Sequence, residues 1–119
     1  MMNDEQKSVI KDKLEQLHEL MGESYVELLN AYLSDAPERM ESMLRSLAQG
    51  DLEQLAHDAH SLKGSCSNMG ASELAVLCEE VVGFTRDGGH VLLREKVAQV
   101  QQCYQDVHTL LQEELASCQ

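Results

Sequence analysis

The chain has 119 residues, 43% of them hydrophobic, and a formal net charge of −12, because 21 acidic residues outnumber nine Lys and Arg. A surface this acidic repels nucleic acid and anionic lipid, since both bind through cationic side chains. No apolar run is long enough to span a bilayer, and the N-terminus lacks the apolar segment of a secretory signal, so we expect a cytoplasmic protein.

The types of hydrophobic residue predict an all-α fold. With no Trp, one Phe and three Tyr, the core must be built from Leu, Val, Met and Ala, which suit helices better than sheets. One Pro and seven Gly leave little turn chemistry for many short strands. We expect residues 1–119 to form a single domain, an antiparallel up-down four-helix bundle with a short extra N-terminal helix.

The first two elements are predicted from apolar residues at helical spacing. A short amphipathic helix covers about residues 3–21, and Gly22 ends it. The second run keeps its period from Tyr25 to Gln49, with Pro37 inside it. Pro37 either kinks one long helix or opens a new helix after residues 34–35, and the unbroken apolar phase favours the kinked helix.

The third predicted helix runs from about Asp51 to Asn68. Gly50 ends the preceding helix, and Asp51 can cap the next by accepting a hydrogen bond from a free backbone N–H group. One apolar stripe recurs at alternating three- and four-residue steps, at Leu52, Leu55, Ala59, Leu62, Cys66 and Met69. This stripe is predicted to face the core.

Two further helices complete the prediction. Gly70 stops the third helix, and Ser72 is a plausible N-cap for the fourth. Residues 87–89, Asp-Gly-Gly, form the clearest loop, and a fifth helical pattern follows to near Ser117. The four cysteines contain no CxxC pair, so reduced thiols are expected, with Cys118 exposed at the tail.

The third helix presents a histidine away from its apolar stripe. At about 100° per residue, His60 lies on the solvent side. The same face carries Glu53, Ala56, His57, Lys63, Gly64 and Ser67. Packing does not explain a histidine here, one turn before a Lys-Gly pair, and we interpret it as a reactive imidazole.

Three stretches around this histidine carry a family pattern. The histidine stretch and its continuation supply Ala59, His60, Leu62, Lys63, Gly64, Ser65, Gly70-Ala71, Leu74, Leu77 and Cys78-Glu79. Residues 33–40, Leu-Ser-Asp-Ala-Pro-Glu-Arg-Met, and Gly50-Asp51 precede it. From about Gly22 to Glu80 the chain resembles the histidine-containing phosphotransfer (HPt) domains of bacterial phosphorelays; beyond that it shows only a compatible helical pattern.

The resemblance implies roles for three residues. In the family the matching histidine is phosphorylated, the lysine steadies the phosphoryl group and the glycine gives a partner access, so His60, Lys63 and Gly64 are expected to do the same. The chemistry agrees: neutral imidazole is nucleophilic near neutral pH, and Lys63 at i+3 can reach oxygens attached to the ring. Glycine inside a helix costs about 1 kcal/mol relative to alanine, which close approach by a partner would explain.

Other residues are expected around the docking surface. Ala56, His57 and Ser67 share the histidine face and are predicted to contact a partner. Many relatives also place a second polar or basic residue on the neighbouring helix, facing the phosphoryl group. Arg86 can serve here, although it lies at a helix end.

The predicted function is that of a phosphorelay intermediate between the receiver domain of a hybrid sensor kinase and a response regulator. We expect a monomer that has no kinase or phosphatase activity and binds no cofactor. The partner receiver domain is expected to bring the aspartate and Mg²⁺. The chemistry allows phosphoryl flow in either direction.

Two alternatives stay open at this point. A helical-bundle adaptor would sequester a signalling partner without carrying phosphate. A metal-binding protein would use the i, i+3 pair His57 and His60, for which only Glu53 offers a further ligand. His18, His90 and His108 are predicted to be solvated.

Overall fold

A computed structural model describes residues 2–88 and 90–118, with only the backbone of His90 described. Within these residues the protein has five helices and no strand, which confirms the all-α prediction. The helices are α1 Asp4–Met21, α2 Ser24–Gln49, α3 Leu52–Asn68, α4 Ser72–Asp87 and α5 His90–Ser117. None of the helices in the described part combines the length and the apolar character that crossing a membrane requires.

Side-chain caps fix the starts of two helices. Asn3 Oδ1 accepts a hydrogen bond from the Gln6 backbone N–H at 2.8 Å, and Gln6 Oε1 accepts one from the Asn3 N–H at 3.2 Å. This reciprocal arrangement is a capping box that begins α1. Asp51 Oδ1 accepts from the Gln54 N–H at 3.1 Å, as the sequence predicts for the start of α3.

The start of α4 differs by one residue from the prediction. Ala71 occupies the N-cap position, without a side-chain hydrogen bond, and Ser72 is the first residue of the helix. Only 2% of Ala71 is exposed, and its N–H donates to the Cys66 carbonyl at 2.9 Å. A serine hydroxyl at this buried N-cap position would need a hydrogen-bond partner of its own. The N-cap position therefore favours the small apolar side chain of Ala71, and the predicted cap, Ser72, lies one residue later.

Helix α2 continues through Pro37 as one element. Ala36 and Met40, on either side of the proline, are both buried, so the helix presents one apolar face along its length. The prediction of one long helix is confirmed, and the alternative of a new helix beginning at residues 36–38 is wrong. Proline removes one backbone hydrogen bond, and the packed face offsets that loss.

Helices α2, α3, α4 and α5 pack side by side so that each contacts two of the others. Helix α2 packs against α3 and α5, and α4 also packs against α3 and α5. Helix α1 packs against α2 and reaches the turn between α3 and α4, where a Cβ placed on Gly70 would lie 2.6 Å from the Lys13 Cβ. A surface of α3 therefore remains between its two neighbours, open to solvent.

The buried residues agree with the predicted apolar stripe of α3, with one addition. Five of its six members are at most 2% exposed, and Leu52, near the helix start, is half-buried. Asp58 is also completely buried, which the apolar pattern did not predict. Its carboxylate lies on the side of α3 that faces α2, as its hydrogen bond with Ser42 shows.

All four cysteines are free thiols, in agreement with the prediction. Cys66 and Cys78 are buried, whereas Cys103 and Cys118 are half-buried. The prediction that Cys118 is exposed is wrong, because it packs against the edge of the core.

The other histidines vary in their surroundings. His18 is exposed, as predicted, and its ring stacks on Tyr25 with 4.4 Å between the ring centroids. His108 is half-buried beside Tyr104, so it is less solvated than predicted. The side chain of His90 lies outside the described residues.

Candidate functional site

His60 is exposed near the middle of α3, while Ala59 and Leu62 on the same turn are fully buried. The contrast follows from the helical period, which places the imidazole on the side opposite the core-facing stripe. Because α3 is anchored by its buried side chains, the ring projects from a fixed helix rather than from a loop. A partner protein can reach it without any opening of the fold.

The predicted neighbours of His60 on α3 are also exposed or half-buried. His57, Gly64 and Ser67 are exposed, and Ala56 is half-buried. A Cβ built on Gly64 meets no atom within 4 Å. The fold itself therefore leaves room for a side chain at this position, so intramolecular packing does not explain the glycine.

Lys63 is half-buried and already has a partner. Its ammonium donates a hydrogen bond to Glu79 Oε2 at 2.8 Å, and this ion pair connects α3 with α4. The hydrogen bond and charge of Lys63 lower the pKa of the Glu79 carboxyl, and Arg86 and His60 contribute in the same direction. Lys63, Arg86 and His60 therefore all influence this one carboxylate.

The structure adds α4 to the candidate site. Gly83 follows Glu79 by four residues and Arg86 follows it by seven, so the three share one face of the helix. Gly83 resembles Gly64 in that a Cβ there meets no atom within 4 Å. We call the combined surface the His60 face; it comprises Ala56, His57, His60, Lys63, Gly64 and Ser67 of α3, and Glu79, Gly83 and Arg86 of α4.

Sequence reasoning gave Glu79 and Gly83 no role. Glu79 appeared only as part of the family pattern, because its pairing with Lys63 depends on the register between two helices. The spacing of Glu79, Gly83 and Arg86 was a readable signal, since a glycine inside an exposed helical face is unfavourable unless something requires it. Arg86, which was predicted to face the site, is exposed in the last turn of α4.

The reverse side of α3 carries a buried polar network. Asp58 accepts hydrogen bonds from Ser42 Oγ at 2.5 Å and from Gln54 Nε2 at 3.1 Å. Arg39 Nη1 lies 3.6 Å from Asp58 Oδ1 and is half exposed to solvent. The network joins the predicted motif of residues 33–40 to the histidine helix, two residues before His60.

The described residues contain no group of three or more His, Cys, Asp or Glu side chains arranged to hold a metal ion. The pair His57 and His60 with Glu53 therefore does not form such a group. A groove of about 290 Å³ lies where α1, the α3–α4 turn and α5 meet, and none of its lining residues belongs to the His60 face. Of the His60 face, His57 borders a separate, open depression together with Asp51, Glu53 and Gln54. The exposed candidate site is suited to docking by another macromolecule.

Comparisons with known proteins agree with this geometry. The family model of the Hpt domain matches residues 27–110, which is more than half of the chain. A crystal structure of histidine-containing phosphotransfer protein B (HptB) from Pseudomonas aeruginosa PAO1 is similar, with 34% sequence identity and a TM-score of 0.83 over 89% of this chain and 92% of that one. No curated protein matched in sequence. The chain therefore belongs to the Hpt domain family, whose members are histidine phosphotransfer proteins of two-component phosphorelays.

Proposed function

We propose that this protein carries a phosphoryl group on His60 between the receiver domain of a hybrid sensor kinase and the receiver domain of a response regulator. The observation that carries the proposal is the exposed imidazole on a rigid helix, with Lys63 one turn away and open space at Gly64. Membership of the Hpt family supports the phosphotransfer role. The two proposed partners are the receiver domains of the hybrid sensor kinase and of the response regulator.

The transfer step uses the unprotonated ring nitrogen of His60, which we assign as Nε2 because it projects farthest from the backbone. Its lone pair forms the P–N bond as the P–O bond to the donor aspartate breaks, and the aspartate leaves with the bonding electrons as a carboxylate. The proton on the other ring nitrogen stays in place. Reversal of the same step passes the phosphoryl group to the next aspartate, so flow in both directions is allowed.

Lys63 supplies positive charge to the phosphoryl oxygens. Phosphoryl transfer spreads negative charge over three equatorial oxygens, so a carrier contributes mainly position and electrostatic stabilisation. Lys63, now paired with Glu79, provides this by turning towards the imidazole, which lies within the reach of an i, i+3 pair. The chain has no kinase activity of its own in this proposal, and Mg²⁺ enters with the receiver domain.

Docking takes place on the His60 face. Gly64 and Gly83 lack side chains, and Ala56, Ser67 and His57 border the imidazole, so loops of a receiver domain can approach the ring closely. We further propose that residues 1–119 act as one cytoplasmic, monomeric domain, and that α2 to α5 run antiparallel in up-down order. The short connections between consecutive helices favour that order.

The test is phosphoryl transfer from phosphorylated receiver domains of one bacterial genome to the purified chain. We expect the native protein and His18→Gln to acquire an acid-labile phosphoryl group, and His60→Gln to acquire none. His18→Gln is the control because it removes an exposed histidine of α1 that lies outside the His60 face. Label on His60→Gln, or no label on the native chain from any receiver, would contradict the proposal.

The same variant separates a carrier from an adaptor in cells. A carrier loses its cellular role when His60 becomes glutamine, whereas an adaptor that only sequesters its partner keeps it. Circular dichroism of His60→Gln is expected to match the native protein, because the exposed ring contributes no packing.

A further inference from the structure

Glu79 of α4 is paired with the lysine of the His60 face. Its carboxylate accepts the hydrogen bond of Lys63 at 2.8 Å and is 54% exposed. The ion pair therefore lies at the surface, where water can replace either partner. Arg86 and His60 also act electrostatically on this carboxylate. The Lys63 ammonium, which is expected to bind the phosphoryl group, is thus directed towards a residue of the protein itself.

We propose that Glu79 is a positioning residue that competes with the phosphoryl group for Lys63, weakens the phosphorylated state of His60 and so favours onward transfer to a receiver domain. This inference rests on the proposed function. In addition to the roles of His60 and Lys63, Glu79 would affect how the phosphoryl group is divided at equilibrium between this protein and a receiver domain.

The physical argument compares the two states of the site. In the unphosphorylated protein, Lys63 is paired with Glu79, which keeps an isolated ammonium from standing beside the imidazole. In the phosphorylated protein, the dianionic phosphoryl group attracts Lys63 more strongly than one carboxylate does, and the existing ion pair with Glu79 weakens. The phosphorylated state therefore loses part of an interaction that the unphosphorylated state keeps, which raises the free energy of the phosphorylated state relative to the unphosphorylated one.

The solvent exposure of the Lys63–Glu79 pair limits the size of the effect of Glu79 on the partition. Surface ion pairs contribute little because water and salt screen them, so we expect Glu79 to change the partition of the phosphoryl group by roughly three- to tenfold. A carrier benefits from such a modest effect. Its phosphorylated state must be stable enough to form and weak enough to pass the group on.

The experiment measures the partition of the phosphoryl group between this protein and one receiver domain that exchanges with the native chain. Phosphorylated receiver is mixed with equal amounts of each variant, and the label on both proteins is measured before the aspartyl phosphate hydrolyses. We expect Glu79→Gln to shift the equilibrium towards phosphorylated His60 by roughly three- to tenfold, and less so at high salt.

Glu80→Gln is the matched control. Glu80 is the next residue on α4 and also pairs with a lysine, Lys96 of α5, at 3.5 Å, so the same charge is removed from a similar ion pair turned away from His60. Its partition is expected to equal that of the native protein. An equal shift in both variants would overturn the proposal, since the effect would then come from net charge alone.

A second background isolates competition for Lys63. In Lys63→Ala there is no ammonium to compete for, so adding Glu79→Gln is expected to change the partition less than twofold, well below its effect in the native background. An undiminished effect would overturn the proposal. So would a fall in phosphorylated His60 in the single variant Glu79→Gln, because that result would mean that Glu79 holds Lys63 ready for the phosphoryl group.

Failure of this inference is distinguishable from failure of the proposed function. Each variant is first treated with phosphoramidate, a small donor whose P–N bond breaks as a new P–N bond forms to imidazole and ammonia leaves. Gain of one phosphoryl group in the intact mass, absent in His60→Gln, shows that His60 is competent. An unchanged partition in a competent Glu79→Gln protein overturns the role of Glu79 and leaves that of His60 standing.

Discussion

The carboxylate of Asp58 lies completely buried between α3 and α2, and Arg39 of α2 approaches it to 3.6 Å from the solvent side. Ser42 and Gln54 complete its hydrogen bonding. A buried carboxylate is tolerated only when it is hydrogen-bonded and paired, and this one has both kinds of partner. The network therefore sets how the helix that carries His60 sits against α2.

Replacement of Asp58 by alanine is expected to lower the free energy of unfolding by about 2 to 3 kcal/mol. The change opens a small cavity and leaves the Ser42 hydroxyl and Gln54 amide without their partner. Urea denaturation measures the loss. Asp12→Ala, at an exposed position of α1, is the control and is expected to stay within about 0.5 kcal/mol of the native value. Equal stability of the two variants would show that the network is not structural.

Alanine at Gly64 or Gly83 is expected to raise the free energy of unfolding by about 0.5 to 1 kcal/mol. Neither glycine has a positive φ, and an added Cβ meets no atom within 4 Å at either position. Gly70→Ala provides the opposite case, because Gly70 has φ +78° and its Cβ would lie 2.6 Å from the Lys13 Cβ. Thermal unfolding of the three variants checks the ranking, and destabilisation at Gly64 would mean that the fold itself requires this glycine.

A large side chain at Gly64 is expected to block docking without unfolding the protein. Gly64→Gln places a long polar chain beside His60 on the open side of α3, in the path of the incoming receiver domain, at a position where an added Cβ meets no atom of its own fold within 4 Å. We expect transfer from a receiver to fall at least about tenfold, the loss that about 1.4 kcal/mol of steric penalty produces. Loading by phosphoramidate, a far smaller donor, is expected to stay near the native rate. A parallel loss with both donors would contradict a docking role.

Removal of the Lys63 ammonium is expected to slow transfer. Lys63→Ala leaves the developing charge on the phosphoryl oxygens without its nearest cation, and a loss of about ten- to a thousandfold in rate is typical for one electrostatic contact. Rapid-quench measurements with a labelled receiver give the rate. Lys96→Ala is the matched control, because it breaks the ion pair with Glu80 on the far side of α4. An unchanged rate in Lys63→Ala would remove its assigned role.

The helices and the exposure of His60 were accessible from the sequence because both depend on local periodicity. The buried stripe of α3 and the continuity of α2 through Pro37 followed from apolar spacing alone. The Lys63–Glu79 pair was not accessible, since it requires the register between α3 and α4. The burial of Asp58 depends in the same way on what α2 brings to it.

Two errors have the same origin. The N-cap of α4 is Ala71 and not the predicted Ser72, because the residue that follows Gly70 is buried. Burial of this turn depends on tertiary contacts, which residue preferences for capping positions do not describe. Cys118 was expected to be exposed because it lies near the end of the chain, yet it packs against the core. Patterns along one helix predict which side is buried, and contacts between helices decide the exceptions.

Stability is expected to fall as pH rises above about 9, because buried acids must stay protonated in the fold. Burial raises the pKa of the Cys103 thiol from 9.0 to about 11, and a hydrogen bond with Cys66 together with burial raises that of Cys78 further. Burial likewise raises the pKa of the Tyr25 and Tyr32 phenols. Above pH 9 the unfolded chain loses these thiol protons while the folded protein keeps them, so the stability they contribute is complete below that pH and declines above it.

Urea midpoints under reducing conditions are the measurement. We expect them to be level between about pH 7 and pH 8 and to fall from about pH 9, with each buried thiol contributing at most about 1.4 kcal/mol per pH unit. Cys103 is half-buried, so its share lies below that bound. Cys103→Ala removes one of the titrating groups and is expected to flatten the decline between pH 9 and pH 11. A midpoint that stays constant or rises through this range would show that the thiols ionise as easily in the fold as in the unfolded chain.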